Sequence, residues 1–104
     1  MKKPVAVRWL TKAGLLLLHE QSIFDHGGAG GIRDEGLLDS ALARPRNVRA
    51  YREDASLAEL AAAYAFGIAK NHPFIDGNKR TAFAALGVFL MKNGWALEAS
   101  EAEA

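Results

Sequence analysis

Apolar residues recur at helical spacing along most of this chain, and turn-forming residues separate the repeats. Thr11 is predicted to cap a first helix that carries Leu15 to Leu18. This helix should end before Gly27-Gly28, because glycine tolerates the left-handed turn that closes a helix. Asp34 is predicted to cap a second, short helix. Pro45 should end that helix, since the residue before a proline is pushed out of the helical region.

The second half of the chain predicts two more helices. Ser56 to Glu59 reads as a capping box, and apolar residues then repeat at helical spacing until about Asn71-His72. A further helix is predicted over 78–93, with Gly94 as its stop. Because its middle, residues 82–91, is apolar on every side, we expect this helix at the centre of the domain, surrounded by the others.

Two segments do not fit this pattern. Residues 44–55 contain Pro45 and four arginines, and they predict an irregular loop or a short flap-like hairpin. Ser100 to Glu103 reads as another capping box, yet the sequence stops at residue 104, and one turn is too short for an isolated helix. The fold expected is therefore all-α, with four to five helices in one domain over residues 1–104 that lacks a C-terminal helix.

Composition narrows the function classes. Half of the residues are hydrophobic, the formal net charge is only +1 and there is no cysteine. The small net charge does not favour nucleic-acid binding, and the lack of cysteine excludes disulfides and cysteine-based zinc sites. The longest apolar run covers ten residues, too few for a membrane span, and no signal peptide is recognisable. We expect a cytoplasmic protein that binds neither nucleic acid nor membrane.

Candidate chemistry concentrates in residues 72–80, at the start of the predicted last helix. A helix N-terminus has free backbone N–H groups and partial positive charge, so it attracts phosphate. Gly77 would let a ligand approach the backbone closely. Lys79 and Arg80 in the first turn oppose the helix dipole, which is favourable only if an anion is bound there.

Three further side chains of this segment suit phosphate chemistry. Asp76 suits a helix cap or a Mg²⁺ ligand, and Asn78 offers an amide to orient an oxygen. His72 offers an imidazole, the side chain that most often serves as a general base towards a hydroxyl. Each residue alone has a simpler structural interpretation as a cap, a packing residue or a solvated charge. Their joint occurrence in nine residues favours a phosphate site.

The segment His-Pro-Phe-Ile-Asp-Gly-Asn-Lys-Arg at 72–80 resembles the signature of the Fic/Doc superfamily, His-x-Phe-x-(Asp/Glu)-Gly-Asn-Gly-Arg-x-x-Arg. The resemblance extends upstream to residues 27–45 and 60–69 and covers roughly residues 10 to 99. It implies a compact helical domain of the Fic/Doc type.

Two departures from that signature resemble the Doc (death-on-curing) branch. Lys79 replaces the second glycine of the motif, and Phe83 replaces its final arginine. In this branch these features go with ATP bound in reverse, so that the γ-phosphoryl group is transferred. The resemblance implies a bacterial kinase-like toxin that modifies a threonine of an elongation factor of the Tu type and arrests translation.

The resemblance also implies residue roles. His72 would be the general base, and Asp76 would bind Mg²⁺. Four residues would hold the phosphates of ATP: Gly77, Asn78, Lys79 and Arg80. Residues 44–55 would correspond to a target-aligning flap, whose arginines would contact an acidic partner or simply be solvated.

Regulation is implied to come from outside the chain. The Fic self-inhibitory pattern (Ser/Thr)-x-x-x-Glu-(Gly/Asn) is absent from the sequence. An antitoxin of the Phd type, whose C-terminal helix packs on the toxin, is therefore the expected partner. Transfer of AMP to a protein hydroxyl and a catalytically silent, antitoxin-binding role are the alternatives.

His19-Glu20 lacks the second histidine of a zinc protease motif, because residue 23 is isoleucine. We expect His19 to be structural or to support the site from the neighbouring helix.

Overall fold

The computed structural model describes residues 6–95 and contains four α-helices in that range: α1 (Lys12–His26), α2 (Glu35–Tyr51), α3 (Leu57–Asn71) and α4 (Asn78–Lys92). Among these residues the single β-type pairing is an isolated antiparallel bridge between Ile32 and Phe74. The all-α prediction is confirmed.

Local capping explains where three of the helices begin. The side chains of Thr11 and Asp34 each accept a backbone N–H from the first turn, at 2.9 Å. Ser56 and Glu59 form the complete capping box, in which each side chain accepts the other residue's N–H. Gly27, with a φ of 85°, follows the last residue of α1. These predicted helix ends are confirmed.

The predicted loop or hairpin over 44–55 is wrong, because α2 continues through Pro45 to Tyr51. A proline inside a helix loses one backbone hydrogen bond and crowds the preceding turn. Here the ring of Pro45 is fully buried, and this apolar burial offsets the loss. The irregular connection is therefore confined to residues 52–56.

The four arginines of this segment are engaged within the chain rather than displayed on a flap. Arg44 and Arg46 lie over aromatic rings, and the other two bind near the start of α3. Their contacts are Arg44 over Phe66 at 4.6 Å, Arg46 over Trp9 at 5.2 Å, Arg49 Nη1 to Ala55 O at 3.4 Å, and Arg52 Nη2 to Glu59 Oε2 at 2.5 Å.

Helix α3 is the most enclosed element of the described domain. It packs against α2 on one side and α4 on the other, while α1 packs on α4. Tyr64 and Ile68 of α3 are fully buried with Leu38 of α2 and Phe89 of α4. At the α2–α3 crossing, Gly67 faces Ala41 so closely that a methyl group at Gly67 would lie 3.3 Å from the Ala41 Cα.

The expectation that α4 is surrounded by the other helices is wrong for residues 6–95. Helix α4 packs on α1 and α3, but Phe83 is 73% exposed and Met91 is 54% exposed. An apolar helix is buried on all sides only where partners exist on all sides, and the other three described helices cover only part of its surface. The helix bounds, 78–92, agree with the prediction.

The C-terminal capping box at Ser100 to Glu103 lies outside the described residues. Within residues 6–95, none of the helices combines the length and the apolar character needed to cross a bilayer.

Candidate functional site

The loop between α3 and α4, residues 72–77, begins with an unusual backbone conformation. His72 follows α3 with φ 50° and ψ 57°, and it is the one non-glycine residue with positive φ in the described chain. The left-handed conformation costs an L-residue about 1–2 kcal/mol. Surrounding contacts must therefore hold His72 in place, and its side chain lies exposed at the first lip of the loop.

The backbone of residues 31–34, which we call the strap, runs beside the loop. Its Arg33 and Asp34 N–H groups both donate to Pro73 O, at 2.6 and 3.1 Å. The Ile75 N–H donates to Gly31 O at 3.1 Å. Together with the Ile32–Phe74 bridge, these bonds fix the loop as a short two-stranded contact.

The side chain of Arg33 also binds the backbone where α3 meets the loop. Its Nε donates to His72 O at 2.6 Å and its Nη2 donates to Asn71 O at 2.8 Å. The last carbonyls of a helix lack partners inside the helix and carry partial negative charge, so a guanidinium is well suited to them. Sequence reasoning missed Arg33, because nothing in a single sequence pairs position 33 with positions 71 and 72.

His19 of α1 supports the second half of the loop. Its ring is 3% exposed and stacks on Phe74, with ring centroids 3.8 Å apart and an angle of 7° between the planes. His19 Nε2 lies 2.8 Å from Asp76 O, and because a carbonyl only accepts, this nitrogen carries the proton. The prediction that His19 is structural or supports the site is confirmed.

Asn78, the first residue of α4, is buried and bound to the loop backbone. Its Oδ1 accepts the Phe74 N–H at 3.0 Å and its Nδ2 donates to Phe74 O at 2.9 Å. The side-chain amide thus closes the loop on itself. The backbone N–H of Asn78 is one of the groups in the first turn of α4 that have no partner inside the helix.

Asp76 lies exposed at the second lip of the loop. Its Oδ2 accepts the Ala29 N–H at 3.1 Å, and the carboxylate comes so near Gly28 that a methyl group there would lie 3.3 Å from Oδ2. One side of the carboxylate is held by the glycine-rich segment that precedes the strap. The other oxygen remains available for a cation.

Helix α4 differs from the other three described helices at its N-terminus. Gly77, with φ 75° and ψ 19°, provides no side-chain cap, whereas the other three helices have one. The first turn of α4, like that of α1, contains no acidic residue. The Thr81 N–H makes the first helical bond, to Gly77 O, so the N–H groups of the three preceding residues have no partner inside the helix. A side chain at residue 77 would be strained, and its Cβ would lie 3.2 Å from Ile23 Cδ1.

Lys79 and Arg80 are exposed in this same first turn. Two cations and a set of free N–H groups at the positive end of a helix dipole have the charge that suits an anion. The structure thus brings the six predicted residues into one loop and one helical turn: His72, Asp76, Gly77, Asn78, Lys79 and Arg80. Their roles in binding and catalysis stay predictions.

A surface depression adjoins this turn on the side of α3. It has a volume of about 290 Å³ and is lined by six residues: Ala65, Phe66, Ala69, Lys79, Ala82 and Phe83. We call it the Phe83 groove. Its walls are apolar except for Lys79 at its rim.

Comparison with known proteins assigns the chain to a family. The family model described as the Fic/DOC family matches residues 9–90, which include the loop, its supports and most of α4. The chain belongs to the Fic/Doc family. The resemblance of residues 72–80 to the family signature is thereby confirmed.

Two curated members of the Fic/Doc family are similar to this chain. A protein named protein kinase doc, from Escherichia phage P1, is 35% identical over 88 residues, or 85% of this chain and 70% of that protein. A protein named toxin Doc, from Mycolicibacterium smegmatis (strain ATCC 700084 / mc(2)155), is 49% identical over 75 residues, or 70% of this chain and 57% of that protein. Each alignment therefore leaves part of the relative unmatched.

Proposed function

We propose that this Fic/Doc chain transfers the γ-phosphoryl group of ATP to a serine or threonine hydroxyl of a protein, as the toxin of a toxin–antitoxin pair. The observation that carries the proposal is the uncapped N-terminus of α4, which has free N–H groups and the exposed side chains of Lys79 and Arg80 in its first turn. This turn directly follows the loop that contains the exposed His72 and Asp76. The names of the two relatives, a protein kinase and a toxin, support the same reaction and role.

In this mechanism the phosphates of ATP bind the free N–H groups of α4 and the side chains of Lys79 and Arg80. Phosphoryl transfer depends mainly on positioning and on stabilising charge, which is what this turn offers. His72 accepts the proton of the target hydroxyl while the hydroxyl oxygen bonds to the γ-phosphorus. The bond from that phosphorus to the β–γ bridging oxygen breaks, and ADP leaves.

The residues present fit a Mg²⁺ ion held jointly with ATP. No cluster of three or more potential metal ligands exists among the described residues, so the chain alone does not build a closed metal site. Mg²⁺ is commonly held by one carboxylate together with phosphate oxygens and water. Asp76 supplies such a carboxylate beside the phosphate turn, and the ion would neutralise phosphate charge.

The target we propose is an elongation factor of the Tu type, as the resemblance implied. The test incubates the purified chain with that factor and with ATP labelled at either the α- or the γ-phosphate. Label should transfer from the γ position alone. Transfer from the α position would replace the kinase proposal with AMP transfer, and transfer to no protein would exclude both.

His72→Ala should lower the transfer rate by about 10²–10⁴-fold, the usual contribution of a general base. His26→Ala is the matched control, because His26 is also exposed but lies in the last turn of α1. A His72→Ala chain as toxic in cells as the parent would end the catalytic account and leave the silent, antitoxin-binding alternative.

The antitoxin partner is proposed to bind the Phe83 groove through an amphipathic, acidic helix. Phe66 and Phe83 are 51% and 73% exposed, which gives an apolar helix face a place to bind. Cations surround the groove: Arg44 and Lys70 lie 4.6 and 5.6 Å from the Phe66 ring, and Lys79 lines the rim. An acidic helix would complement this charge.

Co-expression with the product of the neighbouring upstream gene tests this partner. Phe83→Glu should abolish co-purification, because a carboxylate in the groove is desolvated and repels an acidic helix. Phe24→Glu is the control, since Phe24 is 85% exposed on α1, away from the groove. Equal co-purification of both variants would place the interface elsewhere.

A further inference from the structure

The backbone conformation of His72 requires an explanation beyond its place after α3. A histidine at φ 50° is in a region that L-residues avoid, and here it occurs at the proposed general base. Backbone strain of this kind persists only where neighbouring groups determine it. The groups in contact with the His72 backbone therefore decide where its side chain stands.

Those groups come from the strap and from Arg33 above all. Among the described residues, Arg33 is the one side chain that donates to the carbonyls of Asn71 and His72, at 2.8 and 2.6 Å. The Arg33 backbone N–H donates to the next carbonyl, that of Pro73, at 2.6 Å. A single residue thus holds three consecutive carbonyls where the chain turns from α3 into the loop.

Hydrogen bonds of the strap hold the backbone of Arg33 in place. The adjacent Asp34 caps α2 through its side chain and also donates its N–H to Pro73 O. The planar guanidinium then reaches two neighbouring carbonyls at once, which the single ammonium of a lysine does not reproduce. The side-chain contact is directional as well as electrostatic.

We propose that Arg33 is a positioning residue for His72: its guanidinium fixes the left-handed turn at residue 72 and so places the imidazole beside the phosphate-binding turn of α4. The inference rests on the proposed function for its catalytic meaning. In this role Arg33 does not contact the substrate. It positions His72, whereas other residues bind ATP.

Steady-state kinetics test the catalytic part. Arg33→Ala should lower kcat by on the order of 10²-fold, the usual effect of misplacing a catalytic group, with the KM for ATP unchanged. Arg33→Lys should restore only a small part of that loss. In a His72→Ala background, Arg33→Ala should have no further effect, because the base that it positions is gone.

Lys12→Gln is the matched control, because Lys12 is an exposed cation that pairs with Glu35 and Asp39 at the start of α2 without touching the loop. It should leave kcat unchanged. An additive loss in the Arg33→Ala, His72→Ala double variant, or a rise in KM without a fall in kcat, would overturn the positioning role.

Nuclear magnetic resonance tests the structural part without any reaction. The φ-dependent coupling and the ¹³C shifts of His72 should report a left-handed residue in the parent and in Lys12→Gln, and a change of conformation in Arg33→Ala. An unchanged His72 backbone in Arg33→Ala overturns the proposal. If the parent transfers no phosphate but its His72 signals still depend on Arg33, the proposed function fails and the positioning contact stands.

Discussion

At the scale of single residues, the side chain of Asn78 shows how a motif residue can serve the loop rather than the ligand. Both ends of its amide bind the backbone of Phe74, and the residue is 8% exposed. The family resemblance groups Asn78 with the phosphate-binding residues. The contacts instead indicate that its side chain shapes the turn that presents the α4 N-terminus.

Asn78→Ala should therefore destabilise the chain before it weakens phosphate binding directly. Removing the amide leaves the buried Phe74 N–H and C=O without partners, at a cost of about 1–3 kcal/mol each. Urea denaturation measures the loss, with Gln21→Ala, an exposed amide on α1, as the control. An unchanged free energy of unfolding together with lost ATP binding would show that the amide is a phosphate ligand after all.

Replacing Arg80 should stabilise the free chain but weaken ATP binding. A cation in the first turn of a helix opposes the helix dipole, so Arg80→Gln should raise the free energy of unfolding of the free chain by about 0.3–1 kcal/mol. The same change removes a charge-assisted phosphate contact and should weaken ATP binding by roughly ten- to a hundredfold.

Urea denaturation and nucleotide titration test both halves of the Arg80 prediction. Lys92→Gln is the control, because Lys92 lies in the last turn of α4, where a cation favours the dipole. A variant that is less stable and binds ATP as the parent does would contradict the anion-site interpretation.

At the scale of helices, features set by neighbouring residues were predictable from the sequence, whereas features set by tertiary contacts were not. The caps at Thr11, Asp34 and Ser56 act within one turn, so a local pattern reveals them. The course of α2 through Pro45 depends on tertiary burial of that ring, which no local pattern contains. In the same way, the members of the 72–80 motif were predictable, whereas the grip of Arg33 on that loop was not.

The capping box of α3 should make the free energy of unfolding depend on pH in the acid range. The pKa of Glu59 is lowered from 4.5, first by the Ser56 N–H and then by the Arg52 guanidinium. Because the folded pKa is below the unfolded one, this stabilisation is present above pH 4.5 and is lost as the pH falls through the lower, folded value.

Thermal unfolding across that acid range checks this dependence. Glu59→Gln keeps an acceptor for the Ser56 N–H but no charge, so its melting temperature should fall less steeply with acid than that of the parent. Glu53→Gln, at a nearby exposed carboxylate, is the control. Equal slopes for Glu59→Gln and the parent would show that the pairing contributes nothing in solution.

Two helical glycines should respond oppositely to alanine. Gly67 packs on the Ala41 backbone, so Gly67→Ala should lose about 1–3 kcal/mol to overpacking, more than its gain in helix propensity. Gly87 in α4 has no described atom near its missing side chain, so Gly87→Ala should gain about 0.5–1 kcal/mol. Denaturant titration of both variants measures the difference, and equal changes would mean that the α2–α3 crossing can separate at little cost.

At the scale of the whole molecule, a partner that binds the Phe83 groove should make the proposed complex more stable than the free chain. A ligand that binds the folded state alone adds stability by mass action, about 2.7 kcal/mol at a hundred times its Kd. The antitoxin should thus raise the melting temperature of the parent and of Phe24→Glu, but not of Phe83→Glu. A rise in all three would mean that the partner binds outside the groove.

The support of the loop by α1 and by the strap has a consequence for the order of folding. The hydrogen bonds that His19, Ala29 and Arg33 make with residues 71–76 join positions 38 to 57 residues apart. Closing such separations costs chain entropy, so these contacts form more slowly than the local bonds of the helices. The loop therefore takes its shape only when α1 and the strap have met the end of α3, and the proposed phosphoryl transfer cannot precede that step of folding.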